Sequence, residues 1–200
     1  MQHRKAISDW IVAHKFKTIL DFGGGFGSLA KLLASKDKDL TIHLYEPFPS
    51  EYTLKKLSKF QNIKFIDKLN DNYYDCLVCI DVLEHLEDPL ATLYSLIKSV
   101  KINGYLIIAN AFYPMIKCHL PKNFHLRYTF DLFARLMGLE VIGPLKGSHA
   151  TIYRKIKDSE PYWYKVSMLE NISKSIFPFL EIIHLSFKFA KYVIKKLRGE

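Results

Sequence analysis

Asp21 is followed by glycines at 23, 24, 25 and 27 within Thr18 to Ala34, TILDFGGGFGSLAKLLA. Such a turn can take positive φ and lets a ligand approach with no Cβ in the way, which is what a nucleotide cradle needs. The spacing is D-x-G-x-G-x-G, whereas a dinucleotide fingerprint requires G-x-G-x-x-G and would place Ser28 at its last position. A nicotinamide-dependent dehydrogenase is disfavoured on that ground. Glu46 closes the apolar run LTIHLYEP 25 residues after Asp21. A carboxylate at the end of a second strand can accept two hydrogen bonds from ribose hydroxyls.

The elements that would position these groups alternate in type. TILDF is a strand, and an apolar helix pattern begins at Leu29. LTIHLYEP, IKFID (Ile63 to Asp67) and YDCLVCID (Tyr74 to Asp81) read as three further strands. Asp88-Pro89 then opens a helix, with Asp as N-cap and Pro at the first helical position. VKINGYLIIAN, Val100 to Asn110, carries a turn at Asn103-Gly104 and then a fifth strand. Thr129 to Met137 is a helix stopped by Gly138, and LEVIGPL and HATIYRKI form a closing hairpin around Lys146-Gly147-Ser148.

Four landmarks in this order over about the first 110 residues carry a resemblance: D-x-G-x-G-x-G, Glu46, D-V-L-E-H-L-x-D-P from Asp81, and Asn103-Gly104. The chain resembles the class I S-adenosylmethionine-dependent methyltransferases of small-molecule type, and is similar to ubiquinone-biosynthesis and sugar O-methyltransferases. The family usually has Pro-Gly where Asn103-Gly104 stands. The resemblance implies an α/β, doubly wound, seven-stranded, mostly parallel sheet of Rossmann-like methyltransferase fold, in strand order 3-2-1-4-5-7-6 with an antiparallel last strand. It implies S-adenosylmethionine as cofactor, held by Asp21, Gly23, Gly25, Gly27 and Glu46, with Asp67 near the adenine amino group and Asp81 completing the edge. A pocket that had lost catalysis, a methyltransferase-fold scaffold, is the competing reading.

An oxygen acceptor must lose its proton, and near neutral pH histidine is the natural base. His85, His119 and His125 lie beyond the fourth and fifth strands, with Arg127 close behind. His125 and then His119 are the candidate bases, and Arg127 and Lys122 are placed to pair an anionic substrate. Ubiquinone-type relatives hold a divalent cation on an E-x-x-E-H motif. The matching positions here are Asp81, Glu84 and His85, with the first acid one methylene shorter, and the expectation is no metal.

At 200 residues and 49% hydrophobic composition the chain can bury a real core. Residues 1–157 are read as the methyltransferase domain and 158–200 as a basic tail. Met1 to Lys17 is charged and amphipathic rather than secretory, and no window approaches the ~20 apolar residues of a membrane span. Three cysteines, Cys76, Cys79 and Cys118, fit a reducing cytoplasm. Cys76-x-x-Cys79 falls inside a strand, where i and i+3 face opposite ways, so both read as core thiols.

Of the net charge of +9, residues 151–200 contribute +5, with ten Lys and Arg against five Asp and Glu. From Phe179 to Arg198 the polar residues Glu181, His184, Lys188, Lys191, Lys195 and Arg198 recur at helical spacing, a narrow basic stripe opposite a broad apolar surface. Such a helix packs on its own domain, on a second copy, or on a membrane surface. A nucleic-acid partner is excluded, because the charge sits on an apolar helix and no N-P-P-Y-type signature follows the fourth strand. The acceptor is expected to be a small molecule or glycan, in surface polysaccharide or lipid-linked biosynthesis at the cytoplasmic membrane face.

Overall fold

A computed structural model of the chain describes residues 2–197, by backbone alone at 192, 193, 195 and 197. Its elements are α1 (Gln2–Ala13), β1 (Thr18–Phe22), α2 (Ser28–Lys36), β2 (Thr41–Tyr45), α3 (Glu51–Leu57), β3 (Ile63–Ile66) and β4 (Tyr74–Ile80). They continue with α4 (Pro89–Ser99), β5 (Val100–Ala109), α5 (Leu126–Leu136), β6 (Leu139–Pro144), β7 (Thr151–Lys155) and α6 (Trp163–Leu197). The seven strands form one sheet in the order β3-β2-β1-β4-β5-β7-β6. Strands β1 to β5 pair in parallel, and β7 runs antiparallel to both β5 and β6. This is the expected fold and strand order.

Two apolar layers sandwich the sheet, because successive strand residues point to opposite faces. Ile19, Cys76, Val78 and Ile107 pack under α1 and α2 with Ile7, Ile11 and Leu33. Leu20, Leu77, Cys79 and Leu106 pack on the other side with Leu93, Phe133 and Val166. Cys76 and Cys79 are therefore buried thiols on opposite faces, as their spacing requires.

Local signals set most boundaries. Asp88 Oδ1 accepts the Ala91 N–H at 2.8 Å, with Pro89 in the first turn of α4. Asn103 takes φ +62°, within β5 rather than before it, and the β4–β5 register shifts between Tyr74 and Cys76. α5 starts three residues earlier than its pattern, at Leu126.

The tail departs further from its sequence pattern. α6 begins at Trp163, well before Phe179, and runs through Pro178. The start of its polar stripe turns inward: Glu181 and His184 face Arg127 and Tyr128 of α5, while Lys188 and Lys191 stay exposed. The apolar side is left in solvent, with Phe179, Ile182, Phe187 and Phe189 each more than 60% exposed. Arg198, the last residue of the expected stripe, lies outside the described residues. Among the described residues no helix is long and apolar enough to cross a membrane.

Candidate active site

Strand register brings the chemistry to one edge. Phe22 pairs Tyr45 and Cys79, Tyr45 pairs Ile66, and Ile80 pairs Ala109. The residues that follow, Gly23, Glu46, Asp67, Asp81 and Asn110, thus leave the sheet together at the carboxyl ends of its parallel strands, where open α/β sheets bind ligands. Gly23, Gly25 and Gly27 all take positive φ. The loop is tight on one side and open on the other. A Cβ on Gly24 would lie 2.2 Å from Leu44 Cδ1, whereas one on Gly25 would meet no atom within 4 Å. The Gly25 N–H donates to Glu46 Oε2 at 2.9 Å, which sets the acid beside that open side.

Asp21 is 4% exposed, and its Oδ2 has no partner. Burial pushes its carboxyl up to about 7. The oxygen lies under Gly24, on the tight side of the loop, and an orphaned, buried carboxylate oxygen there fits a ligand that carries an ammonium group. Asp67 is exposed just beyond β3.

A cavity of about 270 Å³ adjoins this edge, with Asn110, Tyr113, Arg127, Asp131, His149 and Tyr153 among its walls. The antiparallel course of β7 explains how His149 comes to be there. Thr151 pairs Ile108 near the carboxyl end of β5, so the chain entering β7 arrives at the same edge as Asp81. His149 Nε2 stands 3.2 Å from Asp81 Oδ1. The ring of His3 stacks on it at 4.2 Å between centroids. Tyr153 donates its hydroxyl hydrogen to Asp131 Oδ1 at 2.6 Å. His149 is not among the expected bases; its signal in the sequence is a histidine just before the antiparallel closing strand. A larger cavity, about 700 Å³, lies against α1 and α2 and is walled by Arg4, Lys5, Lys31, Lys36 and Lys56, with no acid or imidazole.

The expected bases sit elsewhere. His125 is 2% exposed beneath α6, with Nδ1 2.9 Å from Ser173 Oγ, and it does not line the cavity. Burial lowers its pKa to about 4. His119 is also buried, with Nδ1 2.7 Å from the Tyr113 carbonyl oxygen. Arg127 does line the cavity, but its Nη1 donates to Glu181 Oε1 at 2.6 Å and its guanidinium lies over the rings of Tyr113 and Tyr128. Lys122 pairs with Glu87. Neither cation is free for an anionic substrate as expected, because α6 and the Glu87 turn supply the counter-charges.

The positions that match E-x-x-E-H do not converge as a set. Asp81 turns to His149, while Glu84, His85 and His119 bring one ligand atom each within 4.8 Å of one another. Glu84 is fully buried, accepts the Ala111 N–H at 2.9 Å through Oε1 and leaves Oε2 without a partner. Burial raises its pKa. Two imidazoles and a carboxylate could hold a divalent ion, and the group lies outside the cavity walls.

Comparison with known proteins agrees with this geometry. Residues 3–133 match the family model described as a methyltransferase domain. A ubiquinone biosynthesis O-methyltransferase of Hydrogenovibrio crunogenus is 27% identical over 141 residues, 66% of this chain and 54% of the relative. One from Vibrio cholerae is 31% identical over 101 residues, 46% of this chain and 41% of the relative. The chain thus spans about half the length of the curated relatives it matches. Among solved structures, the 1,6-didemethyltoxoflavin-N1-methyltransferase of Burkholderia thailandensis aligns with a TM-score of 0.60 at 11% identity, covering 78% of this chain and 79% of that one. A SAM-dependent methyltransferase from Aquifex aeolicus aligns at 0.57 and 20% identity, covering 75% and 89%. With the ordered glycine loop, the acid-bearing strand ends and this match in hand, the chain belongs to the methyltransferase domain family, among the class I S-adenosylmethionine-dependent methyltransferases.

Proposed function

We propose that this chain transfers a methyl group from S-adenosylmethionine to a hydroxyl of a small-molecule or glycan acceptor. The observation that supports this best is that the glycine cradle and the polar cavity share one strand edge, with Asp81 between them. Asp21 faces the ammonium of the cofactor's amino-acid end, and its unpartnered Oδ2 is the acceptor for it. Glu46 keeps lone pairs free for the ribose hydroxyls while it holds Gly25, and Asp67 approaches the adenine amino group. When bound, the cofactor supplies an electrophilic methyl: its S–C bond breaks as the acceptor O–C bond forms, and sulfur keeps the electron pair. The residues around the cavity hold the acceptor in line and displace water from it. The names of the curated relatives, O-methyltransferases, support oxygen as the receiving atom.

The acceptor's setting follows from α6. Its distal half presents Leu185, Phe187, Phe189 and Ile194 to solvent, and no acidic residue occurs between 182 and 197. Lysines at 188, 191 and 196 accompany them. Two copies of this segment would repel each other, whereas an anionic lipid surface neutralises the lysines and takes up the apolar side chains. A lipid-linked or otherwise anionic glycan intermediate at the cytoplasmic membrane face, as in polysaccharide biosynthesis, is the acceptor class this favours.

Calorimetry with S-adenosylmethionine and S-adenosylhomocysteine tests the cofactor site, and Glu46→Ala should weaken both by about tenfold or more. Label transfer from the methyl-tritiated cofactor into cell-extract fractions tests the reaction. Binding without transfer to any fraction would make the chain a scaffold instead.

A further inference from the structure

We propose that His149, oriented by Asp81, is the group that takes the proton from the acceptor hydroxyl; this rests on the hydroxyl-transfer reading above. Among the described residues lining the cavity, His149 is the single imidazole. Asp131, the cavity's carboxylate, is committed to the Tyr153 hydroxyl.

The pair is built rather than incidental. Asp81 takes φ +53°, a conformation that residues with a side chain rarely adopt, directly after β4 and with its N–H donated to the Ala109 carbonyl oxygen at 2.9 Å. The two residues flanking His149 are pinned as well. Ser148 Oγ accepts the Ala150 N–H at 3.0 Å and meets His3 Nδ1 at 2.6 Å. The His3 ring lies over that of His149 with an interplanar angle of 19°, which limits the ring's rotation.

A carboxylate only accepts, so the hydrogen bond at 3.2 Å requires Nε2 of His149 to carry its hydrogen. Nδ1 is then the nitrogen with a lone pair. As the new O–C bond forms, the acceptor's O–H electrons stay on oxygen and the proton passes to Nδ1. The resulting imidazolium stands against the Asp81 carboxylate. His149 is half-exposed, so solvent can remove the proton for the next cycle.

The test has two independent arms. Ring-nitrogen NMR of the cofactor-free protein at about pH 8 should show His149 held as the Nε2–H tautomer, and Asp81→Asn should release it to a mixture of both. A tautomer mixture in the unaltered protein would overturn the proposal. In the second arm the probe is the extract fraction that accepts label from the unaltered protein. His149→Ala should lower turnover about a hundredfold, keep S-adenosylhomocysteine affinity within about threefold, and regain about tenfold with added imidazole. Turnover within about twofold of the unaltered protein, or no response to imidazole, would sink the base role. If no hydroxyl is methylated while the ring spectrum shows the held tautomer, the hydroxyl reading is what fails, and the base role with it.

Discussion

Glu181 on α6 accepts from two neighbours on α5 through one oxygen: Nη1 of Arg127 at 2.6 Å and the hydroxyl of Tyr128 at 2.6 Å. One acid thereby ties a wall of the acceptor cavity to the helix that carries the exposed apolar surface. Both charged side chains are about a quarter exposed, so the link is worth more than a surface pair and less than a buried one. Glu181→Ala should cost about 1–2 kcal/mol in urea unfolding. It should also speed proteolysis of α6. An unchanged unfolding midpoint and digestion rate would show that α6 is held by other contacts.

Asp21 should couple stability and cofactor binding to pH. Its folded pKa, about 7, lies above the 3.8 of an ordinary aspartate, so the folded state binds more protons between those values. The stability this contributes is complete below pH 3.8 and is lost as pH rises through about 7. Asp21→Asn should therefore stabilise the cofactor-free protein by about 2–4 kcal/mol at high pH and leave it little changed in acid. A bound ammonium would favour the ionised form, so cofactor binding below pH 7 should release a proton. Calorimetry in two buffers of different ionisation enthalpy measures that release, and identical heats in both would exclude it.

His125 acts in the opposite direction. Its folded pKa of about 4 lies below the 6.5 of an ordinary imidazole, because burial disfavours the cation. The unfolded chain takes up the proton first, so stability falls as pH drops from 6.5 towards 4. The loss approaches about 3 kcal/mol. His3 and His43, also lowered by burial, add to it in the same sense. In His125→Asn the acid-dependent loss should shrink, which urea titrations at several pH values would reveal. Methyl transfer should stay within about threefold, since the ring does not reach the cavity. A hundredfold fall in turnover with intact stability would restore His125 as the base.

Removal of residues 185–200 should abolish sedimentation with phosphatidylglycerol vesicles. S-adenosylhomocysteine affinity should survive, because the contacts from Val166 to His184 remain. Each lysine near an anionic surface contributes about 1 kcal/mol, so moderate salt should weaken binding by the full-length chain. A halved mass in solution after truncation, with no vesicle binding beforehand, would make the segment a dimer element.

The framework of the site was legible in the order of residues. A glycine run that needs positive φ, apolar runs of strand length and an Asp-Pro helix start are local properties, set by backbone sterics and by which side chains shun water. They place Asp21, Gly25, Glu46, Asp67 and Asp81 at successive strand ends, and register carries those ends to one edge. Which strand ends hold the acids therefore did not depend on any distant contact.

The proton-handling side was decided by contacts between residues far apart in the chain. Asp81 and His149 are 68 positions apart and meet only because β7 runs back against β5. His125 looks like an accessible loop histidine until Ser173, 48 positions later, closes over it on α6. The tail's polar stripe reads as a solvated face by periodicity, yet Arg127 and Tyr128 draw Glu181 inward and turn the apolar face out. Periodicity tells which residues share a face. The direction of that face is settled by the charge and burial of whatever lies opposite, and only the assembled structure contains that partner.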